Sequence, residues 1–483
     1  MPQKENRKVE PKRYRVSGLT CVLAAFVLSR VVYFALGIRF DLRPLDYFWQ
    51  YVDPELLRTN LLQSLYYLHS QPPLFNLFLG TVLKLFPGSE TLAFHITFLA
   101  CGLVLAVSLY LLMARLGVSE RLSAILTILL IAGPSAILYE NFLFYTYPVA
   151  AMLCLSALAL LHYVRTERFR SLVFFFVLLA ALVLTRSAFH LVWYVIMVLA
   201  LTWCLRKQWR RVLLAASVPF LFCLLLYAKN VHEFGSFSSS SWFGMNFARM
   251  TTWELTVAER MRLIERRELS PLSLAKPFRD LETYQRHSQF PLAEPTGIPV
   301  LDQKQKSSGA PNLNNLTYVR LSREYRRDAM YVLTNYPGTY LMSLLKSLAT
   351  YFIPISSYPF VSDNREQISY LDRACNLVLC GQLRYEDEVT DIRSWQNTGW
   401  LTALAYLVVI IYGFLLLRQA YRQRRLDTPS AVVLLFIWLN VVYITVAGNA
   451  FELGENNRFR LVVEPLFFTL LGLALKNRFR RPT

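Results

Sequence analysis

Long apolar runs alternate with short basic segments along this chain. Thr91–Ala114, Leu401–Leu417 and Ala431–Ala447 extend for 17 to 24 residues with almost no charge. At about 1.5 Å of rise per residue, runs of this length match helices crossing a hydrocarbon layer about 30 Å thick. The same pattern predicts seven helices before a long polar stretch: Val16–Ile38, Thr91–Ala114, Leu122–Leu138, Pro148–Val164, Ser171–Thr185, His190–Cys204 and Val212–Ala228. Three more, Trp400–Leu417, Ser430–Asn449 and Leu461–Leu475, close the chain. Pro72–Phe86 is apolar but short and is expected to be tilted or half-inserted. Gly338–Ile355 carries Lys346 and is expected to lie at the outer interface. The fold class expected is an all-α polytopic membrane protein with ten to twelve transmembrane helices.

Composition agrees with that class. Of 483 residues 55% are hydrophobic and 17% charged, against about 25% charged in soluble domains. The net charge of +19 changes the picture only once the basic residues are located. They occupy the N-terminal tail, Arg165–Arg170, Arg206–Arg211, Arg418–Arg425 and the last residues from Lys476 to Arg481. All flank apolar runs, as cytoplasmic loops do, and no basic, aromatic-studded face suited to nucleic acid exists. Three regions follow: residues 1–228 with a first outer loop at 39–72, outer segments at 229–397, and a C-terminal module at 398–483 with an outer loop at 450–460. The outer segments are expected to hold short helices and cover a groove.

Five of the seven cysteines (Cys21, Cys101, Cys154, Cys204, Cys223) fall inside predicted spans as small apolar fillers. Cys375 and Cys380 fall in an outer segment, where a small-loop disulfide could form in an oxidising compartment. No nucleotide-binding glycine motif and no cytoplasmic domain is present, so chemistry fuelled directly by a nucleotide has no evident location.

Candidate chemistry gathers in three stretches expected on one face. The first loop carries Asp41, Asp46 and Asp53 among aromatics, and a carboxylate at the membrane boundary can serve as a general base. Asp53-Pro54 also reads as a helix cap. The second is Leu68-His69-Ser70-Gln71-Pro72-Pro73-Leu74. An amphipathic helix over Glu55–Leu68 ends at the Pro-Pro pair, which leaves His69 and Gln71 at the elbow. The third is Glu455-Asn456-Asn457-Arg458-Phe459-Arg460, before the last span. Arg458 and Arg460, joined by Arg186 from the Thr185–Phe189 turn, suit bidentate recognition of a lipid phosphate. Equally, Glu455 and Arg458 could simply pair with each other.

In this order the three stretches resemble the GT-C class of polytopic glycosyltransferases, which includes protein O-mannosyltransferases and lipid A aminoarabinose transferases. In that class an acid follows the first span and a His/Lys-Pro-Pro-Leu type motif opens the next segment. Gln71-Pro72-Pro73-Leu74 matches it, with Gln71 at the usual His or Lys position and His69 two residues earlier. The usual Asp-Glu pair is absent. The resemblance implies an inverting transfer from a polyprenyl-phosphate-linked sugar to a glycan, lipid or protein acceptor. It gives Asp41, or Asp46, as the base and Arg458, Arg460 and Arg186 as the phosphate ligands. His69, Gln71, Asp53, Glu455 and Asn457 would contact substrate. The class requires no cofactor; parts of it bind a divalent metal, for which this sequence offers no ligand set. A bacterial inner membrane with a periplasmic site is the expected setting, and Asn315-Leu316-Thr317 would be a glycosylation sequon in an ER lumen. Two other readings compete: an O-antigen-type ligase or polymerase with a large outer loop and functional arginines, and a transporter or flippase, for which no repeat is visible.

Overall fold

The computed structural model describes residues 17–382 and 398–478. The basic N-terminal tail, Arg480, Arg481 and positions 383–397 of the second outer segment lie outside the described residues. Among the described residues the chain is helical, with only isolated bridges in place of strands. Six helices are long and apolar enough to cross a membrane: Gly18–Ala35, Glu90–Arg115, Thr146–Thr166, Arg206–Phe234, Trp400–Arg422 and Pro429–Ala450. Shorter apolar helices cover Phe169–Thr185 and Leu191–Cys204, and Asn456–Arg478 ends the chain. This is a polytopic helical membrane protein.

The expected span Leu122–Leu138 is not one helix. It breaks into Glu120–Ile131 and Pro134–Glu140, bent by 55°. Pro134 supplies no N–H, so the carbonyls before it lose their helical partners. The first helix satisfies them: Arg30 Nη1 donates to Ile131 O and the Tyr33 hydroxyl to Ala132 O, both at 3.0 Å. Beyond the bend Glu140 is fully buried, held by Arg30 at 2.6 and 2.8 Å and by the Tyr147 hydroxyl at 2.8 Å. An ion pair in such a place is tolerable only when both partners are present.

The predicted Glu55–Leu68 helix is also interrupted. Asn60, at φ −133° and ψ 47°, divides Pro54–Thr59 from Leu61–Tyr66. The short Leu74–Leu85 helix touches the first outer loop at both ends. Asn76 is bonded to Val52 N and Gln50 O, and Leu83 O accepts from Arg58. It therefore does not carry the chain from one end of the bundle to the other.

Contacts sort the connections into two ends. At one end Arg165 donates to Arg115 O, Gln208 to Glu167 (2.9 Å), and Gln419, Arg425 and Lys476 line one small hollow. At the other, Asp41 bridges to Phe142, His69 meets Asn314, the Tyr443 hydroxyl donates to Ala188 O, and Ser347 to Asn449 O. With the bent pair as one traverse, ten traverses of the described chain connect these ends, within the expected ten to twelve.

The helices of residues 18–234 and 400–478 share one core; Trp193 Nε1, for example, donates to Asn440 Oδ1 at 3.0 Å. The outer segment 229–336 folds into short helices with a separate core that includes Trp242, Phe247, Tyr284, Tyr318 and Tyr325. Its Phe243–Met250 and Thr317–Asn335 helices cross closely at Gly244, where a Cβ would lie 1.8 Å from Ser322 O. The Pro337–Tyr351 helix follows and meets the end of Pro429–Ala450, Tyr340 donating to Ala450 O.

Candidate functional site

A cavity of about 640 Å³ lies between the bundle end and the outer short-helix unit. Five arginines (Arg186, Arg249, Arg323, Arg326, Arg458) and two glutamates (Glu452, Glu455) line it. The excess of cations favours an anionic ligand.

Each wall has a local cause. Arg186 follows the Phe169–Thr185 helix as its C-cap, in a turn pinned by Tyr443 to Ala188 O. Gly235, left-handed at φ +61°, ends the long helix before it and starts the serine-rich turn Ser236–Ser241. Ser240 Oγ fastens that turn to Ser70 O at 2.6 Å. Between the last two spans, the tight loop closes on Asn456, whose Nδ2 donates to Gly448 O and Glu452 O while its Oδ1 accepts from Gly454 N. This closure puts Arg458 in the first turn of the last helix.

Arg186 and Arg458 are 2% and 4% exposed. The Arg186 carbon Cζ sits 4.1 Å from the Phe459 ring centre and that of Arg458 4.5 Å from Phe144. Arg458 Nη2 pairs with Glu455 Oε2 at 2.6 Å. The expected Glu455–Arg458 pairing is thus real, yet it leaves Arg458 Nε and Nη1 without a hydrogen-bond partner among the described residues. Both Nη atoms of Arg186 are likewise unpartnered. Buried donors in this condition are costly. Burial, then the charge of Arg458, lowers Arg186 to about 10. The arrangement can accept an oxyanion whose oxygens satisfy both guanidiniums at once. Nearby, Glu452 pairs with Arg249 at 3.0 Å, and burial raises its carboxyl above the ordinary range while Arg249 pulls it down.

The other sequence candidates stand as follows. Gln71 lines the cavity. His69 does not; it is buried as a strut, its Nδ1 accepting from Ser241 Oγ (2.7 Å) and its Nε2 donating to Asn314 O (2.9 Å). Arg460 is also away from the wall, donating to Tyr351 O at 2.7 Å and facing Glu464 at 3.6 Å. Asn457 donates to Pro354 O. Asp53 caps the Pro54–Thr59 helix through Glu55 N and also accepts from Ser307, as the Asp-Pro pattern suggested. Asp46 is exposed in a four-residue helix.

Asp41 accepts two charged hydrogen bonds from Arg43, at 2.7 and 2.8 Å, and Arg43 reaches on to Asp363 at 2.7 Å. It does not line the cavity, but its backbone bridges to Asn141 and Leu143, immediately before the Phe144 and Tyr145 rings that support Arg458. Among the described residues no group of three or more His, Cys, Asp or Glu could hold a metal ion. The two glutamates lining the cavity are each paired with an arginine, Glu452 with Arg249 and Glu455 with Arg458. Cys375 and Cys380 are free thiols. Asn315 is 5% exposed and its Nδ2 donates to Asp302 O and Gln303 O, so the sequon is a structural element.

Sequence reasoning missed Trp49, Arg249, Arg323, Arg326 and Glu452. Arg323 and Arg326 lie in the Arg323–Arg327 stretch, which reads as a solvated charge run, and Arg249 stands alone in the sequence; only packing against the bundle turns them to one cavity.

No protein-family model matches the sequence, and no curated protein matches it. Among solved structures it is similar to the oligosaccharyltransferase of Archaeoglobus fulgidus, crystallised with a tethered acceptor peptide. The identity is 11% and the TM-score 0.37, over 96% of this chain and 50% of that one. The chain thus spans about half the length of that protein.

Proposed function

We propose that the chain is a membrane glycosyltransferase of GT-C type that moves a sugar from a polyprenyl-phosphate carrier to an acceptor on the extracytoplasmic side. The observation that carries this reading is the pair Arg186 and Arg458, buried at one cavity wall with unpartnered guanidinium nitrogens. Exposed Phe237 and Phe451 line the same cavity and offer apolar contact to a lipid chain. The basic connections at the opposite end of the bundle favour an extracytoplasmic site, in a bacterial inner membrane facing the periplasm.

In this reading the acceptor oxygen attacks the anomeric carbon as the bond from that carbon to the phosphate oxygen breaks. The phosphate leaves with the electron pair, and its growing charge is met by Arg186 and Arg458. The acceptor proton passes to a carboxylate. We assign that role to Asp41, which lies beside the cavity and not in its wall, with Asp46 as the second choice.

The test uses purified protein with labelled polyprenyl-phosphate sugars and pyrophosphate-linked glycans. Binding of a monophosphate donor by wild type, lost in Arg186→Ala and Arg458→Ala, is expected. Binding of pyrophosphate-linked glycans alone would replace this reading with a ligase or polymerase; binding of neither donor class would remove it.

A further inference from the structure

A second set of residues lining the cavity has a different character. Trp49 lines it and is 39% exposed. One indole face is covered by Phe278, stacked at 5.4 Å and within 5° of parallel, and Trp242 braces Phe278 edge-on at 5.4 Å. Phe278 and Trp242 are both buried. A large aromatic with a fixed back and an exposed front is an immobilised platform. Its negative front face attracts the polarised C–H bonds along one side of a pyranose ring.

Hydrogen-bonding groups line the same cavity as this platform. Gln50 and Gln71 line the same cavity, and the Oε1 atom of each is buried without a partner among the described residues. Both are rigidly presented. Asn76 Nδ2 holds Gln50 O at 3.0 Å, and Gln71 follows the His69–Ser70 elbow, whose two backbone N–H groups donate to Asn314 Oδ1. A buried amide oxygen left unpaired is costly and gains when a hydroxyl donor arrives. An aromatic platform with a few fixed polar groups is how small-molecule sites set orientation. Neither glutamine is charged, and their free Oε1 atoms suit hydroxyl donors.

We infer that Trp49, Gln50 and Gln71 form a subsite for a neutral, hydroxyl-bearing pyranose ring. Its assignment to the transferred donor sugar rests on the glycosyltransferase reading above, in which the ring hangs from a phosphate held by Arg186 and Arg458. The same chemistry would also seat a terminal sugar of an acceptor glycan.

Saturation-transfer NMR on the full chain in a sugar-free detergent, with a panel of methyl hexopyranosides, tests the subsite without any lipid donor. At least one glycoside should receive saturation from wild type. The effect should fall about tenfold or more in Trp49→Ala, persist in Trp49→Phe, which keeps a ring, and weaken in Gln71→Ala. Wild-type saturation in Trp49→Ala, or none with any glycoside, overturns the subsite. A second arm compares polyprenyl phosphate with and without a sugar. Weaker binding of the sugar-bearing lipid alone in Trp49→Ala places the donor ring there. Unchanged binding of both lipids, with glycoside binding lost, places an acceptor ring there. Equal loss of both lipids overturns the subsite. If neither lipid binds wild type while a glycoside still saturates through Trp49, the glycosyltransferase reading fails and the sugar subsite stands.

Discussion

The guanidinium carbons of Arg186 and Arg458 lie 4.1 and 5.7 Å from the centre of one ring, that of Phe459. These residues are 272 positions apart in the chain, one at the end of a helix and the other in the first turn of the last, and both guanidiniums lie against the same ring. Arg460, two residues from Arg458, faces elsewhere and ties the last helix to Tyr351 O. The two neighbouring arginines should therefore behave differently. Arg458→Ala should weaken binding of a lipid-phosphate donor by about 10- to 100-fold, as loss of a charge-assisted hydrogen bond worth about 1.5–3 kcal/mol implies. Arg460→Ala should leave affinity per folded molecule near wild type and lower thermal stability. Equal donor-binding losses at matched stability would refute the separation.

Asp41 is tested by pairing it with Arg43. If Asp41 accepts the acceptor proton, Asp41→Asn should abolish transfer while donor binding persists, and Arg43→Ala should retain measurable turnover. If its task is only to anchor the Arg43–Asp363 link between the two outer segments, both variants should lose activity alike. Single-turnover transfer and equilibrium donor binding, measured side by side, separate these outcomes.

The Arg30–Glu140 pair supports the bent span. Arg30→Ala strands a buried carboxylate and the Ile131 carbonyl at the helix break, and should cost about 3–5 kcal/mol. Gly102→Ala should be similarly damaging, because its Cβ would come within 2.0 Å of Glu140 Oε2. Thermal unfolding in detergent checks both. An Arg30→Met, Glu140→Leu double variant more stable than Arg30→Ala would identify the stranded charge as the cause.

His69 gives stability a pH dependence. Burial lowers its imidazole to about 3 in the folded protein, whereas the unfolded chain takes up this proton near 6.5. Below 6.5 the unfolded state binds the extra proton and the folded state refuses it. Stability is therefore complete above about 6.5 and declines as the pH falls toward 3. Unfolding midpoints between pH 7.5 and 4.5 should fall in wild type and fall less steeply in His69→Asn. Parallel curves for the two proteins would contradict the assignment.

The outer unit can be located directly. A Cβ added at Gly297 would meet nothing within 4 Å, so an epitope inserted in this exposed turn should be tolerated, at the cost of the Gly297 N–H bond to Asp302, and be reached from outside sealed spheroplasts. Labelling only after permeabilisation would reverse the topology and with it the side proposed for the site.

The division between sequence and structure follows from the range of the interactions. Hydrophobic run length and flanking charge are local quantities, and they determined the helical class, most spans and the gathering of basic segments at one end. Asp53-Pro54 announced its cap because capping joins neighbours in the chain. The Gly133-Pro134 break was present in the sequence, yet only Arg30 and Tyr33, about 100 positions away, show how its carbonyls are satisfied. In the same way the pattern at 455–460 flagged both arginines as ligands. Helix rotation sends Arg458 to the cavity and Arg460 into the core, and that direction is set by packing against Tyr351, Phe144 and Phe459. Gln71 was flagged by its Pro-Pro motif, but Trp49 and Gln50 carried no local signal, since their placement against Phe278 and Asn76 depends on contacts across the whole fold.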